Sequence, residues 1–303
     1  MPGVTTLDID DFSNRLRIGV EEAGVEGRVE AELARLGIPR EAVDIEVEPP
    51  VELAVTLQEY FRPVRGGFQI RWQAGGAESC TLGFNAKDSG NRSDFVTASH
   101  CSRTRSHLDN DLYFQPVVDP LYNNLIGSEL SDPAFWTGAP CPAGRQCRWS
   151  DSLLAMRSPV VSLDQGGIAR TTGANNGSVL VDAANPRFRI TAENARPAAG
   201  EILNKVGRTT GWTQGLVDAV CADVPVGLTN ITLLCQDRVA ANAEPGDSGS
   251  PVFRITNSPA VLDVKLYGVV WGREGIGHFW FSAMYNVQIE LGQLNTCASG
   301  FTC

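Results

Sequence analysis

Only three histidines occur in the 303 residues, so any imidazole that moves protons at neutral pH is His100, His107 or His278. His100 is the best placed. It ends the apolar run FVTAS and precedes Cys101, where a disulfide would hold the backbone carrying the ring. A lone histidine at a strand end is as often a satisfied structural group, so His100 needs a partner before it carries chemistry. The partner candidate is Ser248 in EPGDSGSPVF, residues 244–253, where glycines on both sides of Asp247-Ser248 permit a tight turn closed to bulkier residues. Such a turn exposes the hydroxyl and can aim the amides of Gly246 and Ser248 at one point, the requirement for holding an oxyanion. The alternative is a glycine-rich turn that exposes a serine to no purpose. The nucleophile motif of the α/β-hydrolases, GxSxG, is not matched, because Ser250 follows Gly249.

The elements that must position these groups read as β structure. From Gly67 onward, short β-branched or aromatic runs alternate with Gly, Pro, Asn and Asp, and no long amphipathic helical pattern appears. FQIRW, SCTLGFNA, DFVTASH, SLLAM, ILNKVGR, GLVDAV, ITLLCQDRVA, SPVFRI and VKLYGVVWG are the clearest strands, a number that suits barrels. Arg157 to Asn185 reads as a connection between two halves. Residues 1–62 form a different, α+β unit: a strand at Leu16, Ile18 and Val20, a helix with the stripe Val25, Val29, Leu33 and Leu36, and a strand at Val43, Ile45 and Val47. PVRGG, residues 63–67, reads as the linker, with Arg65 as a cleavage point. The domains expected are 1–62, 66–185 and 186–303.

Charge follows the same division. Residues 1–60 hold 14 acidic and 5 basic side chains, most of the formal net charge of −10. That balance repels a phosphate backbone and excludes nucleic acid as a partner. No run approaches the roughly 20 apolar residues a membrane-spanning helix needs. A unit this small can hardly bury a stable core alone, so docking on the remainder is expected. The eight cysteines fall into near pairs, Cys80 with Cys101, Cys141 with Cys147, Cys221 with Cys235 and Cys297 with Cys303, although sequence alone permits 105 connectivities. No CxxC and no Cys/His cluster of structural-zinc spacing occurs, so neither metal nor cofactor is expected. Four disulfides would place the chain in an oxidising compartment, secreted or periplasmic, yet the start MPGVTTLDIDDF has no export signal; with reduced thiols it would be cytoplasmic.

TASHC at 97–101 and GDSGSP at 246–251 resemble the histidine and serine boxes of chymotrypsin-like serine peptidases, the bacterial, streptogrisin-type branch more than the animal one. VGRTTGWTQG at 206–215 resembles the bacterial entry to the second barrel, and GVVWG at 268–272 the strand that pairs with substrate backbone. CTLGFNA at 80–86 is similar to the strand whose cysteine pairs with the one after the catalytic histidine, implying Cys80 with Cys101. The resemblance covers about 66 to 295 in the right order. It implies an all-β fold of two six-stranded antiparallel barrels, a serine endopeptidase with a polypeptide substrate, and catalytic His100 and Ser248. It also implies a third residue, an aspartate. Among Asp109, Asp111, Asp119, Asp132, Asp151, Asp164 and Asp182, Asp151 stands immediately before the apolar run of SLLAM, as the family aspartate stands before a buried strand. By register with the family, Asn242 lies at the base of the substrate pocket, with Trp271 and Gly272 on its wall. Asp247 needs a cation, for which Arg208 is the candidate. The usual GDSGGP has become GDSGSP, which leaves a second reading, a binding or scaffold module that keeps the fold without the activity.

Overall fold

The computed structural model describes residues 1–50, 55–74, 76, 78–256 and 262–303. It divides into two compact units, Met1–Ala54 and Val55–Cys303.

In the first unit a hairpin, β1 (Val4–Asp10) and β2 (Arg15–Val20), is followed by α1 (Glu26–Arg35) and β3 (Val43–Val47), which lies parallel to β2. The stripe Val25, Val29 and Leu33 packs on Ile18, Val20 and Val43. Leu36, counted in that stripe from its spacing, lies past the end of α1 and is exposed. The strand β1 was not read from the sequence because VTTLDID lacks clean alternation and is nowhere fully buried.

The second unit runs through β4 (Val64–Gly66), β5 (Gln69–Trp72), β6 (Cys80–Thr81), β7 (Phe84–Lys87), β8 (Ser93–Ala98), β9 (Leu112–Phe114), β10 (Leu125–Ser131), β11 (Gln146–Arg148) and β12 (Ser152–Arg157). It continues with β13 (Leu163–Ala169), β14 (Arg187–Glu193), β15 (Ile202–Gly207), β16 (Gly211–Pro225), β17 (Ile231–Val239), β18 (Pro251–Ile255), β19 (Asp263–Arg273), β20 (Phe279–Ala283) and a helix, α2 (Met284–Leu291). Seven strands form one sheet in the order β6-β5-β9-β10-β12-β8-β7. Ten form the other, in the order β11-β17-β16-β15-β18-β19-β14-β13-β4, with β20 paired to β17 and β19. Each has its own core, around Phe95, Tyr113 and Leu153 in the first and Val252, Phe279 and Phe281 in the second. Alternating apolar positions in short strands produce this directly, since each barrel buries one face of every strand.

Three expectations for the connecting segments need correcting. PVRGG is not a flexible linker: Val64–Gly66 is β4, a buried strand parallel to β13. A Cβ on Gly66 would sit 2.2 Å from the Gly83 carbonyl, so the backbones touch there. Arg65 is 8% exposed, ion-paired with Asp164 at 3.1 Å and hydrogen-bonded to the Pro186 carbonyl, which withdraws it from any protease acting on the folded chain. Residues 55–62 also belong with the second unit. Leu57 is fully buried, worth about 2 kcal/mol of apolar burial, and its amide donates to the Val179 carbonyl. The turn-rich stretch 157–185 is likewise not a plain connection, since β13 lies inside it.

Candidate active site

His100 lies just past β8, and the antiparallel register of β8 with β12 pairs Ala98 with Ser152. That register sets Asp151 beside the histidine. The Ser99 amide donates to the Asp151 carbonyl, and the Asp151 amide to Ser282 Oγ on β20. His100 Nδ1 hydrogen-bonds Asp151 Oδ2, while His100 Nε2 is 2.7 Å from Ser248 Oγ. Asp151 is fully buried, and its other oxygen accepts from Arg105 Nε at 2.9 Å. Burial would raise that carboxyl, but the Arg105 and His100 charges outweigh it and hold Asp151 below the usual carboxylate range. Beneath these groups lies the fully buried Arg148, donating to Asp132, Ser99, Ser106 and Glu290 and so tying the loop after His100 to the strand before Asp151.

Ser248 sits in the turn that leads into β18. Gly246 has φ +100° and Gly249 φ +90°, and a Cβ on Gly249 would stand 2.2 Å from the Thr81 carbonyl. Only glycine fits there. The amides of Asp247, Gly249 and Ser250 donate to Glu244, Val270 and Asp247 carbonyls. Those of Gly246 and Ser248 donate to no described residue, so both remain available to a ligand beside the hydroxyl. Ser250, the departure from the usual box, turns its hydroxyl back onto the Asp247 carbonyl at 2.6 Å and is fully buried, away from Ser248.

The cation beside Asp247 is not Arg208 but Lys205, fully buried on β15 with Nζ 3.3 Å from Asp247 Oδ2. Asp247 also accepts from the Thr209, Thr210 and Glu244 amides and from Thr210 Oγ1. Burial pushes the Lys205 ammonium down; the Asp247 carboxyl, despite its own burial, is held below its ordinary value by Lys205 and these donors. A lysine inside an apolar strand was the readable signal, because an ammonium buried there needs a counter-charge. Nothing local marked Arg105 or Ser282.

Of the remaining residues singled out, Trp271 and Gly272 line a cleft of about 720 Å³ together with His100 and Arg105. Asn242 lines a separate cavity with Thr213 and Gly277. His107 and His278 lie on Asp109 and Asp218. The bonded cysteines are Cys80 with Cys101, Cys141 with Cys147, Cys221 with Cys235 and Cys297 with Cys303. Cys80, His100 and Cys101 stand close enough to ligate a metal, but the two sulfurs are bonded to each other and offer no thiolate. No helix among the described residues is long and apolar enough to cross a membrane.

No protein-family model matches the chain. In sequence it is 28% identical over 191 residues to serine protease 2 of Streptomyces fradiae, covering 63% of this chain and 87% of that protein. In structure, Thermobifida fusca protease A matches with a TM-score of 0.52 at 20% identity, over 78% of this chain and 99% of its own. The chymotrypsin of Cellulomonas bogoriensis matches with the same TM-score, identity and coverage. The second unit has the fold of the bacterial chymotrypsin-like serine proteases, and the chain is similar in sequence to one of them. The N-terminal unit, Met1–Ala54, is an addition to a protease-fold unit that begins at Val55. In this protease-like fold, strands from both sheets converge on one cleft, His100 and Asp151 from the first and Ser248 from the second.

Proposed function

We propose that the chain is a serine endopeptidase that cleaves polypeptides through an acyl-enzyme on Ser248. The observation that carries this is the run of hydrogen bonds from Ser248 Oγ through His100 to Asp151, with the Gly246 and Ser248 amides unengaged beside it. A serine hydroxyl is too weakly acidic to attack an amide unaided. His100 Nε2 takes its proton as Oγ bonds to the substrate carbonyl carbon, and Asp151 keeps Nδ1 protonated and stabilises the imidazolium. The carbonyl oxygen, now an oxyanion, takes the two free amides. His100 then gives its proton to the departing amine, and water repeats the sequence to release the acyl group. Trp271 and Gly272 flank the acyl half of the substrate. Val224, Pro225, Val226, Trp271 and Trp280 give the cleft much apolar wall, so an apolar residue before the scissile bond is the substrate class proposed. Four disulfides support a site of action outside a reducing cytoplasm.

A fluorophosphonate should label the full chain once, at Ser248, and fail to label Ser248→Ala. A folded chain that takes no label, or labels elsewhere, would overturn the reading and leave a peptidase-fold binding module.

A further inference from the structure

Arg208 feels the Asp247 charge but makes no direct ion pair with it, the place next to that carboxylate being taken by Lys205. The Arg208 side chain lies instead over Gly246: a Cβ added there would meet Arg208 Cδ at 2.8 Å and an Nη at 3.1 Å. Its Nε is buried with no hydrogen-bond partner, and its single side-chain bond goes to Thr209 Oγ1 at 3.2 Å. It lines a cavity of about 400 Å³ with Arg71, Glu78, Ser79, His100 and Ser248. Arg71 reaches this cavity with its Nε on Ser79 Oγ. Glu78, the one carboxylate among the described residues lining this cavity, is exposed at its rim. Burial lowers the Arg208 guanidinium, the Asp247 charge works to raise it, and Arg71, near enough to oppose it, lowers it by a smaller amount. Two guanidiniums line one cavity beside Ser248, and the buried, unpartnered Arg208 Nε leaves a donor there for a carboxylate to take.

The cavity's place in the cleft decides what would supply it. His100 borders both this cavity and the cleft walled by Trp271 and Gly272. The strand bearing Trp271 resembles the one that pairs with substrate backbone, and in the function proposed above Trp271 and Gly272 flank the acyl half. The other side of His100, where Arg71 and Arg208 stand, therefore receives the leaving-group half. We propose that Arg71 and Arg208 form a carboxylate-binding subsite for the leaving-group half of the substrate, favouring Asp or Glu at the first or second residue after the scissile bond. This rests on the peptidase reading above and adds to it a substrate class. Guanidinium forks suit planar carboxylates, and the unpartnered Arg208 Nε gains its acceptor only when one is bound. The other source of a carboxylate is a substrate's own C-terminus two residues beyond the bond.

The test uses the full chain, counted by fluorophosphonate titration, with internally quenched peptides identical on the acyl side. After the scissile bond they carry Glu, Gln or Lys in turn at each of the two positions, all amidated. A parallel set has neutral residues and a free terminal carboxylate. The expected Glu-to-Gln ratio in kcat/KM is roughly tenfold at low salt, as for a charge-assisted pair in a partly exposed cleft, and it shrinks in 0.5 M NaCl. Arg208→Met and Arg71→Met should each cut that ratio by about threefold, and the double variant should bring it near one. A preference found only for the free carboxylate, and lost in the double variant, supports the subsite and identifies its ligand as the chain end. Labelling at Ser248 with a Glu-to-Gln ratio within about twofold overturns this proposal alone, as does a preference that survives in the double variant. No labelling and no cleavage of any peptide overturns it together with the peptidase reading.

Discussion

Replacing Lys205 by Met keeps the length of the side chain on β15 but leaves the Asp247 carboxylate buried without its cation. At 3.3 Å, with an effective dielectric of about 20, the lost attraction is about 5 kcal/mol, in line with the roughly 3–5 kcal/mol that breaking a buried ion pair costs. For a unit the size of Val55–Cys303, where about 1 kcal/mol moves Tm by some 2–4 °C, the expected fall is roughly 6–20 °C. The sign of the pH dependence follows from the shifts. In the native chain the Asp247 carboxyl lies below its unfolded value of about 3.9, so it contributes stability above that pH which is lost as pH falls through its folded value. In the variant, burial dominates and the folded value rises above the unfolded one. The deficit is then largest near pH 7 and shrinks as pH falls toward 4, because a protonated Asp247 no longer needs a cation. Thermal unfolding followed by circular dichroism from pH 4 to 8, beside fluorophosphonate titration of Ser248, measures both. A Tm change under about 2 °C, or a deficit equal at pH 4 and 7, would refute the assignment. If the cation were Arg208, Arg208→Met would carry the large loss; it is expected to cost less than about 1 kcal/mol.

Ser248→Ala and His100→Ala should each lower kcat by about 10⁴ to 10⁶ with little change in unfolding midpoint, measured on a chromogenic ester and a peptide; near-native turnover in either ends the acyl-enzyme reading. Arg105→Met removes the charge on Asp151 Oδ1, so less of the stability that Asp151 contributes above about pH 4 survives. The acid-unfolding midpoint should move to higher pH, and an unchanged midpoint would assign Arg105 no part in holding that carboxylate. Replacing Cys80 and Cys101 together by Ala opens a loop with a sequence separation of 21, for which about 3 kcal/mol of lost stability is expected by denaturant unfolding. A specific protease site inserted after Glu48 allows the acidic unit to be cut from the rest. A rise in kcat/KM on cutting is the outcome expected of an inhibitory pro-segment, and equal values before and after leave it an accessory domain.

Local chemistry is what the sequence determined. Glycines at 246 and 249 around Asp247-Ser248 mark a turn that needs positive φ, and alternation marks most strands, because both signals arise within a few residues. Near pairing of cysteines is local in the same way. Choices among distant partners were decided only by the tertiary structure. Asp151 and Asp132 are both fully or nearly buried aspartates close in sequence, yet the register of β12 on β8 brings Asp151 to His100 and leaves Asp132 on Arg148. PVRGG has the composition of a linker, and it becomes a buried strand because β13, about a hundred residues away, supplies its partner. Lys205 and Arg208 are three residues apart, the first in a buried strand and the second past its end, so strand direction sends one ammonium inward to Asp247 and leaves the guanidinium over the cleft. Composition cannot distinguish these outcomes, since each depends on which strand lies alongside, and pairing across a sheet is set by the burial of the whole fold.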